Sequence, residues 1–263
     1  MTDAFPRGRF VWYELMTSDP SAAQSFYTQL TGWATKAGDL ADQPYTEWVN
    51  GETSVGGLMQ LPDEAKQQGA PPHWLGYVAV PSVDDTLQQA QGLGAKTLVG
   101  PMDIPTVGRI AVIQDPQEAV IAVYTPTGDA PGHDETPGVG EFSWHELATS
   151  DHAAAFNFYQ ALFGWVKIEA MDMGPGGIYQ MYGRIPGQSI GGMFNKPADQ
   201  PGPPASWLFY ITVPDVHASV EQVTQLGGQV LNGPMEVPDG DIVAQCMDPQ
   251  GAAFALHMVK PSA

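Results

Sequence analysis

Two glutamates are the residues whose type and surroundings most readily suggest chemistry. Glu14 lies in the segment FVWYELMTSD, and Glu146 lies in the similar segment FSWHELATSD. A carboxylate in a strand that otherwise faces a core is costly unless a partner stabilises it. Such a group either has a raised pKa and exchanges a proton or binds a ligand, or it is a structural carboxylate bonded to a tyrosine or to the backbone. Both interpretations stay open for each glutamate.

Other reactive groups give weaker signals. Cys246 has no basic neighbour or helix N-terminus in view, which argues against a nucleophilic thiol. The pairs Gly56-Gly57 and Gly191-Gly192 lack the Lys and Ser/Thr of a phosphate-binding loop, so they predict a β-bulge or close backbone packing. No serine lies in the motif of a hydrolase nucleophile elbow. The chemistry therefore depends on how the chain arranges its strands.

An internal repeat organises those strands. Residues 10–33 align without a gap with residues 142–165, at an offset of 132. Later parts align at an offset of 133, as Trp74 does with Trp207 and Asp115 with Asp248. The residues between the copies are polar and rich in Gly and Pro, which is typical of a domain boundary. The sequence predicts domains over 8–127 and 140–260, joined by a linker over 128–139.

Each copy divides again into two modules with the same order of elements. In the first module a strand over 10–16 precedes a helix with Asp19 or Ser18 as its N-cap, Pro20 in its first turn and Gly32 at its end. In the second module a strand over 74–80 precedes a helix over 83–92. Further strands are expected near residues 46–50, 54–60, 96–99, 109–114 and 119–124. The chain is predicted to be four βαβββ modules with an α+β fold.

Composition excludes several classes of function. The 29 acidic residues outnumber the 10 basic residues and give a formal charge of −19. Because such a chain repels phosphate backbones, we expect no nucleic-acid partner. The single cysteine fits a reducing compartment and predicts a cytoplasmic protein. No signal peptide is evident, and no apolar run approaches the ~20 residues of a membrane span, so no membrane partner is expected.

Several motifs connect the repeat to a known family. The first copy contains Leu15-Met-Thr-Ser-Asp19, Phe26-Tyr27 and Gly32-Trp33, and it closes with Gly108-Arg109 and Asp115-Pro116. This pattern resembles the vicinal oxygen chelate superfamily, which includes glyoxalase I, extradiol dioxygenases and bleomycin-resistance proteins. The resemblance covers nearly the whole chain. It implies two tandem glyoxalase-like domains, each a half-open mixed β-barrel around a pocket.

The resemblance also places the ligands of the superfamily's catalytic metal. One ligand precedes the helix-capping aspartate by seven residues, one lies early in the second module, and the last follows the turn aspartate by seven residues. The residues of this chain at those positions are Trp12, Leu75 and Ala122 in the first copy and Trp144, Leu208 and Ala255 in the second. None of these side chains binds a metal ion. We expect no metal cofactor, with a divalent metal at a non-standard site as the alternative.

The same alignment predicts which side chains line each pocket. Strand residues alternate between faces, so the residues that share a face with the six former ligand positions are expected inside. These are Trp12, Glu14, Tyr77 and Tyr124 in the first copy, and Trp144, Glu146, Tyr210 and His257 in the second. Aromatic area combined with a carboxylate suits a flat organic ligand. For each tryptophan the alternative is ordinary core packing.

Two functions remain in view. The first is a metal-free protein that binds a small hydrophobic or aromatic molecule, as bleomycin-resistance members do, with a cationic ligand favoured by the acidity. The second is an enzyme, a lyase or isomerase using Glu146 and His257 as an acid–base couple, or a dioxygenase with a relocated metal. His257 has a structural alternative, a hydrogen-bonded histidine near a strand end. Because the chain carries two domains, a monomer or a homodimer is expected.

Overall fold

The fold consists of two copies of a mixed eight-stranded sheet with helices packed on it. The computed structural model describes residues 5–40, 43–197 and 204–260. The strand order of the first sheet is β2-β3-β4-β1-β5-β8-β7-β6, and the second sheet repeats it as β10-β11-β12-β9-β13-β16-β15-β14. Parallel pairs such as β1 with β4 occur beside antiparallel pairs such as β2 with β3. The predicted α+β fold is confirmed.

The bounds of the elements follow the repeat. The first copy contains β1 (Phe10–Thr17), α1 (Pro20–Thr31), β2 (Ala34–Leu40), β3 (Gln43–Asn50), β4 (Thr53–Gln60), α2 (Asp63–Gln67), β5 (His73–Ala79), α3 (Val83–Gly92), β6 (Lys96–Ile104), β7 (Gly108–Gln114) and β8 (Val120–Pro126). The second contains β9 (Phe142–Thr149), α4 (His152–Phe163), β10 (Val166–Asp172), β11 (Ile178–Gly183), β12 (Gly191–Asn195), β13 (Ser206–Thr212), α5 (Val216–Gln225), β14 (Gln229–Glu236), β15 (Ile242–Met247) and β16 (Ala253–Met258). Among the described helices, none combines the length and apolar content needed to cross a membrane.

The helix boundaries agree with the capping residues read from the sequence. The Asp19 carboxylate accepts a hydrogen bond from the backbone N–H of Ala22 at 3.0 Å, and Gly32 ends α1 with a φ of 75°. Asp151 and Gly164 do the same for α4. A carboxylate at the N-cap satisfies a backbone donor that the helix leaves open, and glycine adopts the left-handed cap without strain. These local interactions fix where each helix begins and ends.

Two strands and one short helix lie outside the sequence prediction. The strands are β2 and β10, and the helix is α2. Residues 166–170 of β10 alternate between apolar and polar, which is the pattern of a strand, so a signal was present in the sequence and was missed. No residue of β10 is fully buried, so burial adds little to that signal. Pairing with β11 is what defines β10.

The chain packs into two compact units, and each unit combines modules from both copies. The first compact unit consists of the described parts of residues 1–12, 75–134 and 144–207. The second compact unit consists of the described parts of residues 13–74, 135–143 and 208–263. The sequence left open whether modules pair within or across the copies. Each sheet contains the strands of one copy, whereas each compact unit contains one module from each copy. The domain bounds 8–127 and 140–260 stay a prediction.

A buried tyrosine–aspartate hydrogen bond joins the modules of the first compact unit. Tyr159 of α4 donates its hydroxyl to Asp115 Oδ2 at 2.8 Å. Asp115 Oδ1 also accepts the backbone N–H groups of Gln117 and Ala119 at 2.8 and 2.9 Å. Burial raises the pKa of Asp115, and the hydrogen bond from Tyr159 opposes that shift. Three donors therefore stabilise one carboxylate that sits away from water.

The side chain of Gln117 strengthens the same contact. Its Oε1 accepts the hydroxyls of Thr149 and Ser150 at 2.6 and 2.8 Å, and the backbone N–H of Asp151 at 2.6 Å. Its Nε2 donates to the Asp151 carbonyl at 2.9 Å. The turn between β7 and β8 of the first copy therefore holds the start of α4 in the second copy.

The second compact unit contains the reciprocal interaction. Tyr27 of α1 donates to Asp248 Oδ2 at 3.2 Å and accepts the indole N–H of Trp74 at 2.9 Å. The indole of Trp33 donates to the Gly140 carbonyl at 2.8 Å, which satisfies a polar atom inside an aromatic core. In the first compact unit Trp165 makes the equivalent bond to the carbonyl of Gly8 at 2.8 Å. Trp33 and Trp165 are core residues, as their positions at the helix ends predict.

A buried histidine gives the first compact unit a dependence on pH. The ring of His145 lies parallel to the ring of Phe10, with centroids 3.9 Å apart. Its Nδ1–H donates to the Ile190 carbonyl at 2.6 Å. Burial lowers the pKa of His145 to about 4, although the hydrogen bond to Ile190 acts in the opposite direction. The side chain of His145 therefore faces the packed interior.

We expect Tyr159→Phe to destabilise the chain by about 1.5–3 kcal/mol, because it leaves a buried carboxylate short of one donor. Tyr124→Phe is the matched control. The Tyr124 hydroxyl donates to a neutral acceptor, the Val107 carbonyl, at 2.9 Å, so its loss is expected to cost about 0.5–1.5 kcal/mol. Urea unfolding of both variants measures the difference. Equal losses would contradict a special contribution from the tyrosine–aspartate bond.

We expect His145 to lower the free energy of unfolding as the solution is acidified. Its folded pKa lies below the unfolded value near 6.5, so the unfolded chain takes up the proton first. The contribution of neutral His145 to the free energy of unfolding is fully present above pH 6.5. It is lost as the pH falls toward 4, by at most about 3 kcal/mol. The measurement is denaturant unfolding between pH 7 and pH 4.5 for wild type, His145→Gln and the exposed control His217→Gln. His145→Gln should show a shallower pH dependence than the other two, and three parallel curves would refute the assignment.

Candidate functional site

The glutamate of the first copy is held by a tyrosine that crosses a glycine. Glu14 is 3% exposed, and its Oε2 accepts the hydroxyl of Tyr45 at 3.0 Å. Tyr45 lies on β3, and β4 runs between β3 and β1 with Gly57 opposite Glu14. A Cβ at Gly57 would overlap the Tyr45 hydroxyl and the Glu14 carboxylate. A Cβ at Gly56 would overlap the backbone carbonyl oxygen of Tyr13, so the close backbone packing predicted for this glycine pair is found at Gly56, while Gly57 leaves room for the tyrosine to reach the carboxylate.

The second copy repeats this arrangement and extends it by an indole. Glu146 is 9% exposed, and its Oε2 accepts the hydroxyl of Tyr179 at 2.9 Å. The same hydroxyl accepts the indole N–H of Trp144 at 2.8 Å. Gly192 lies opposite Glu146 on β12, and a Cβ there would overlap the Tyr179 ring. We call Trp144, Tyr179 and Glu146 the indole–phenol–carboxylate chain.

The direction of the hydrogen bonds determines what the indole–phenol–carboxylate chain can bind. An indole N–H only donates, a phenol hydroxyl donates one proton and accepts another, and an ionised carboxylate only accepts. Trp144 therefore donates to Tyr179, and Tyr179 donates to Glu146. The carboxylate end is an acceptor for O–H or N–H groups, and the side chains of Trp144 and Tyr179 next to it are half-buried aromatic rings. All three residues belong to the first compact unit.

The tyrosines that hold the two glutamates were not among the predicted site residues. The sequence interpretation placed Tyr77 in a pocket with Glu14 and Tyr210 in a pocket with Glu146, and this stays a prediction. The structure adds Tyr45 and Tyr179 as hydrogen-bond partners of the two carboxylates. A usable signal was present, since a tyrosine occurs in both copies on the strand that precedes the paired glycines. It was missed because the tyrosine reaches the glutamate across a strand that lies between them, and only a glycine on that strand leaves room for it. A residue pattern along one strand does not reveal this.

The other predicted aromatic residues occupy varied surroundings. Tyr77 and Tyr210 are buried, and Trp12 is half-buried. Tyr124 is also buried; its hydroxyl donates to the Val107 carbonyl, and burial raises its pKa. The Tyr210 hydroxyl accepts the side-chain amide of Gln245 at 3.4 Å. The eight predicted site residues are divided between the two compact units, so their convergence on a ligand stays a prediction.

His257 interacts through both of its ring nitrogens. Nδ1 lies 2.8 Å from the Ser143 hydroxyl, and Nε2 lies 2.8 Å from Asp241 Oδ2. All three residues belong to the second compact unit. Neither partner was singled out from the sequence, and the expected couple of His257 with Glu146 stays a prediction. The local arrangement matches the hydrogen-bonded histidine near a strand end that the sequence offered as the alternative.

The six positions that the resemblance aligns with metal ligands do not fit a metal ion. Leu75, Leu208, Ala122 and Ala255 have no donor atom, and the indole nitrogens of Trp12 and Trp144 carry protons. Across residues 5–40, 43–197 and 204–260, no three His, Cys, Asp or Glu side chains are grouped so that they could hold a cation.

Comparison with known proteins gives a consistent family. A sequence profile of the Glyoxalase/Bleomycin resistance protein/Dioxygenase superfamily matches residues 141–256, and a profile of a Glyoxalase-like domain matches residues 12–124. A Mycobacterium tuberculosis protein named "Putative glyoxylase CFP32" is 31% identical over 259 residues, which cover 95% of this chain and 94% of that protein. The "Anthracycline biosynthesis protein DauV" of a Streptomyces species is 29% identical over 263 residues, with 96% and 94% covered.

Solved structures agree with this fold. The Mn(II)-bound glyoxalase from Novosphingobium aromaticivorans is similar to this chain with a TM-score of 0.65 and 15% sequence identity, over 97% of this chain and 82% of that one. The matched residues cover 97% of this chain and therefore include both copies of the repeat. The chain therefore belongs to the glyoxalase/bleomycin resistance protein/dioxygenase superfamily, as a protein of two tandem glyoxalase-like domains.

Proposed function

We propose that this protein binds a flat, hydroxylated aromatic molecule without the help of a metal ion. The observation that carries the proposal is the indole–phenol–carboxylate chain, in which the Trp144 indole, the Tyr179 hydroxyl and the Glu146 carboxylate are joined by hydrogen bonds of 2.8 and 2.9 Å. These bonds fix the orientation of two aromatic rings and one acceptor before any ligand arrives. Such preorganisation lowers the entropic cost of binding.

The chemistry of the indole–phenol–carboxylate chain selects the class of ligand. Ring-on-ring contacts add about 0.5–1.5 kcal/mol beyond the burial of apolar area, and a hydrogen bond to a charged group adds about 1.5–3 kcal/mol. Because the carboxylate only accepts, the ligand must bring an O–H or N–H group to it. The formal charge of −19 favours ligands that are neutral or cationic over anionic ones.

A relative supports the same ligand class. The Streptomyces protein that is 29% identical over nearly the whole chain is named for anthracycline biosynthesis, and anthracyclines are polycyclic hydroxylated aromatic compounds. The six residues at the aligned metal positions support binding without a metal, because their side chains offer no coordinating atom. The pair Tyr45–Glu14 provides a second, simpler carboxylate in the first copy.

We expect Glu146→Gln to weaken the binding of 2,6-dihydroxyanthraquinone by about 10-fold to 150-fold, because the charge-assisted hydrogen bond is lost. The glutamine keeps an oxygen that accepts from Tyr179, so the fold should be retained. Unsubstituted anthraquinone, which has no hydroxyl, should bind wild type and variant equally. Quenching of tryptophan fluorescence at mildly acidic pH gives both affinities.

Glu169→Gln is the matched control for this measurement. Glu169 is an exposed residue of β10 in the same compact unit, so the variant changes the net charge equally and should bind both quinones as wild type does. If Glu146→Gln bound the dihydroxy compound as tightly as wild type, the carboxylate would not be the ligand's anchor. Weak binding of both quinones to wild type would reject the ligand class.

We expect elemental analysis of untagged protein, purified without chelators, to find Mn, Fe, Co, Ni, Cu and Zn well below one equivalent. We also expect dialysis against EDTA to leave the affinity for 2,6-dihydroxyanthraquinone unchanged, since none of the six aligned residues coordinates a cation. Near-stoichiometric metal whose removal abolishes binding would favour the alternative, an enzyme of the same superfamily with a relocated metal.

A further inference from the structure

A serine, a histidine and an aspartate form a hydrogen-bonded row in the second copy. The Ser143 hydroxyl lies 2.8 Å from His257 Nδ1, and His257 Nε2 lies 2.8 Å from Asp241 Oδ2. Ser143 is on β9, His257 is on β16, and Asp241 immediately precedes β15. None of these three residues is a member of the indole–phenol–carboxylate chain, and the ligand binding proposed above does not use them.

The acceptor at one end of the row fixes the proton on the histidine. An ionised aspartate only accepts, so His257 Nε2 must carry the hydrogen that lies between them. In the neutral imidazole Nδ1 then carries no hydrogen and accepts through its lone pair. The Ser143 hydroxyl must therefore donate to Nδ1. The Tyr210 carbonyl is a second acceptor near Ser143, but at 3.4 Å it is much farther than His257 Nδ1. The single proton of Ser143 therefore points at the histidine.

Asp241 is itself held in place from the other side. Its Oδ1 accepts the backbone N–H of Lys260 at 2.8 Å, which leaves Oδ2 directed at His257. A fixed carboxylate orients the imidazole and stabilises it when it becomes protonated. The side chains of His257 and Asp241 are 13% and 18% exposed, and Ser143 is half-buried. The row is therefore ordered by the protein and still reached by solvent.

The row is confined to one copy of the repeat. At the offsets of 132 and 133, the equivalent residues of the first copy are Val11, Tyr124 and Gly108. Both copies form the same sheet with the same strand order, so the fold itself does not need the three polar residues. A polar array that the fold does not require is a candidate for a separate activity.

We propose that Ser143 is a nucleophile that His257 activates toward activated carboxylic esters. Ser143 Oγ attacks the ester carbonyl carbon while its proton passes to His257 Nδ1, and that proton then leaves on the departing alkoxide or phenoxide, giving an acyl-serine. Water next attacks the acyl carbon and gives its proton to Nδ1, the carboxylic acid departs, and Ser143 regains its proton from Nδ1. Asp241 stays ionised throughout and stabilises the imidazolium.

The test is covalent labelling of the wild-type chain with a biotinylated fluorophosphonate, followed by mass spectrometry of the peptides, together with hydrolysis of p-nitrophenyl acetate. The expected result is a label on Ser143 that is absent in Ser143→Ala. His257→Gln and Asp241→Asn should label at least about 10-fold more slowly, since general-base assistance contributes about 10²–10⁴-fold. Ser150→Ala, which removes the Ser150 hydroxyl beside Gln117, is the control and should label at the wild-type rate.

Labelling of the unmodified chain keeps the test independent of whether any variant folds. A wild-type protein that stays unlabelled, or that labels at a residue other than Ser143, would overturn the proposal. Labelling of Ser143 at the same rate in folded His257→Gln would also overturn it, because the histidine would then contribute nothing as a base. Thermal unfolding of each variant shows which of them are folded under the conditions of labelling.

Discussion

The buried hydrogen bond from a tyrosine to an aspartate is the constraint on which each compact unit depends. Tyr159 reaches Asp115 in one unit and Tyr27 reaches Asp248 in the other, and in both cases the helix belongs to one copy and the turn to the other. A carboxylate removed from water needs donors, and the backbone of the turn supplies only part of them. The hydroxyl from the opposite copy completes the set, so each copy of the repeat relies on the other.

This dependence explains why the boundaries of the repeat and the boundaries of packing differ. The repeat divides the chain near its linker, while the compact units exchange modules between the copies. The indoles of Trp33 and Trp165 reinforce the exchange, since each donates to a carbonyl that precedes the first strand of the other copy. The two copies are similar in sequence, and each compact unit combines one module from each of them.

The two copies keep the same framework and differ in the polar groups that it carries. Both retain a glutamate, a tyrosine and the glycine that lets the tyrosine cross a strand, namely Glu14, Tyr45 and Gly57 in the first copy and Glu146, Tyr179 and Gly192 in the second. Ser143, His257 and Asp241 belong to the second copy, and the equivalent positions of the first copy hold Val11, Tyr124 and Gly108. In a superfamily whose activities are diverse, such local differences on a shared fold are where function is expected to reside.

The repeat, the four modules, the helix ends and the family can all be read from the sequence alone. These features rest on local causes, such as Asp19 and Gly32 at the ends of α1 and the largely apolar run of β1, which are readable without knowing the partners. The sequence also identified Glu14 and Glu146 as carboxylates in need of a partner.

The identity of those partners depends on the tertiary structure. Tyr45 and Tyr179 meet the glutamates across Gly57 and Gly192, and Asp241 meets His257 from the residue just before β15, because strand order and register set which side chains approach one another. The exchange of modules between compact units could likewise not be read from the sequence. Both copies have the helix tyrosine and the turn aspartate, so the sequence does not show which aspartate each tyrosine contacts. Which of them it reached was settled by long-range packing, for which a residue pattern along one strand or helix carries no signal.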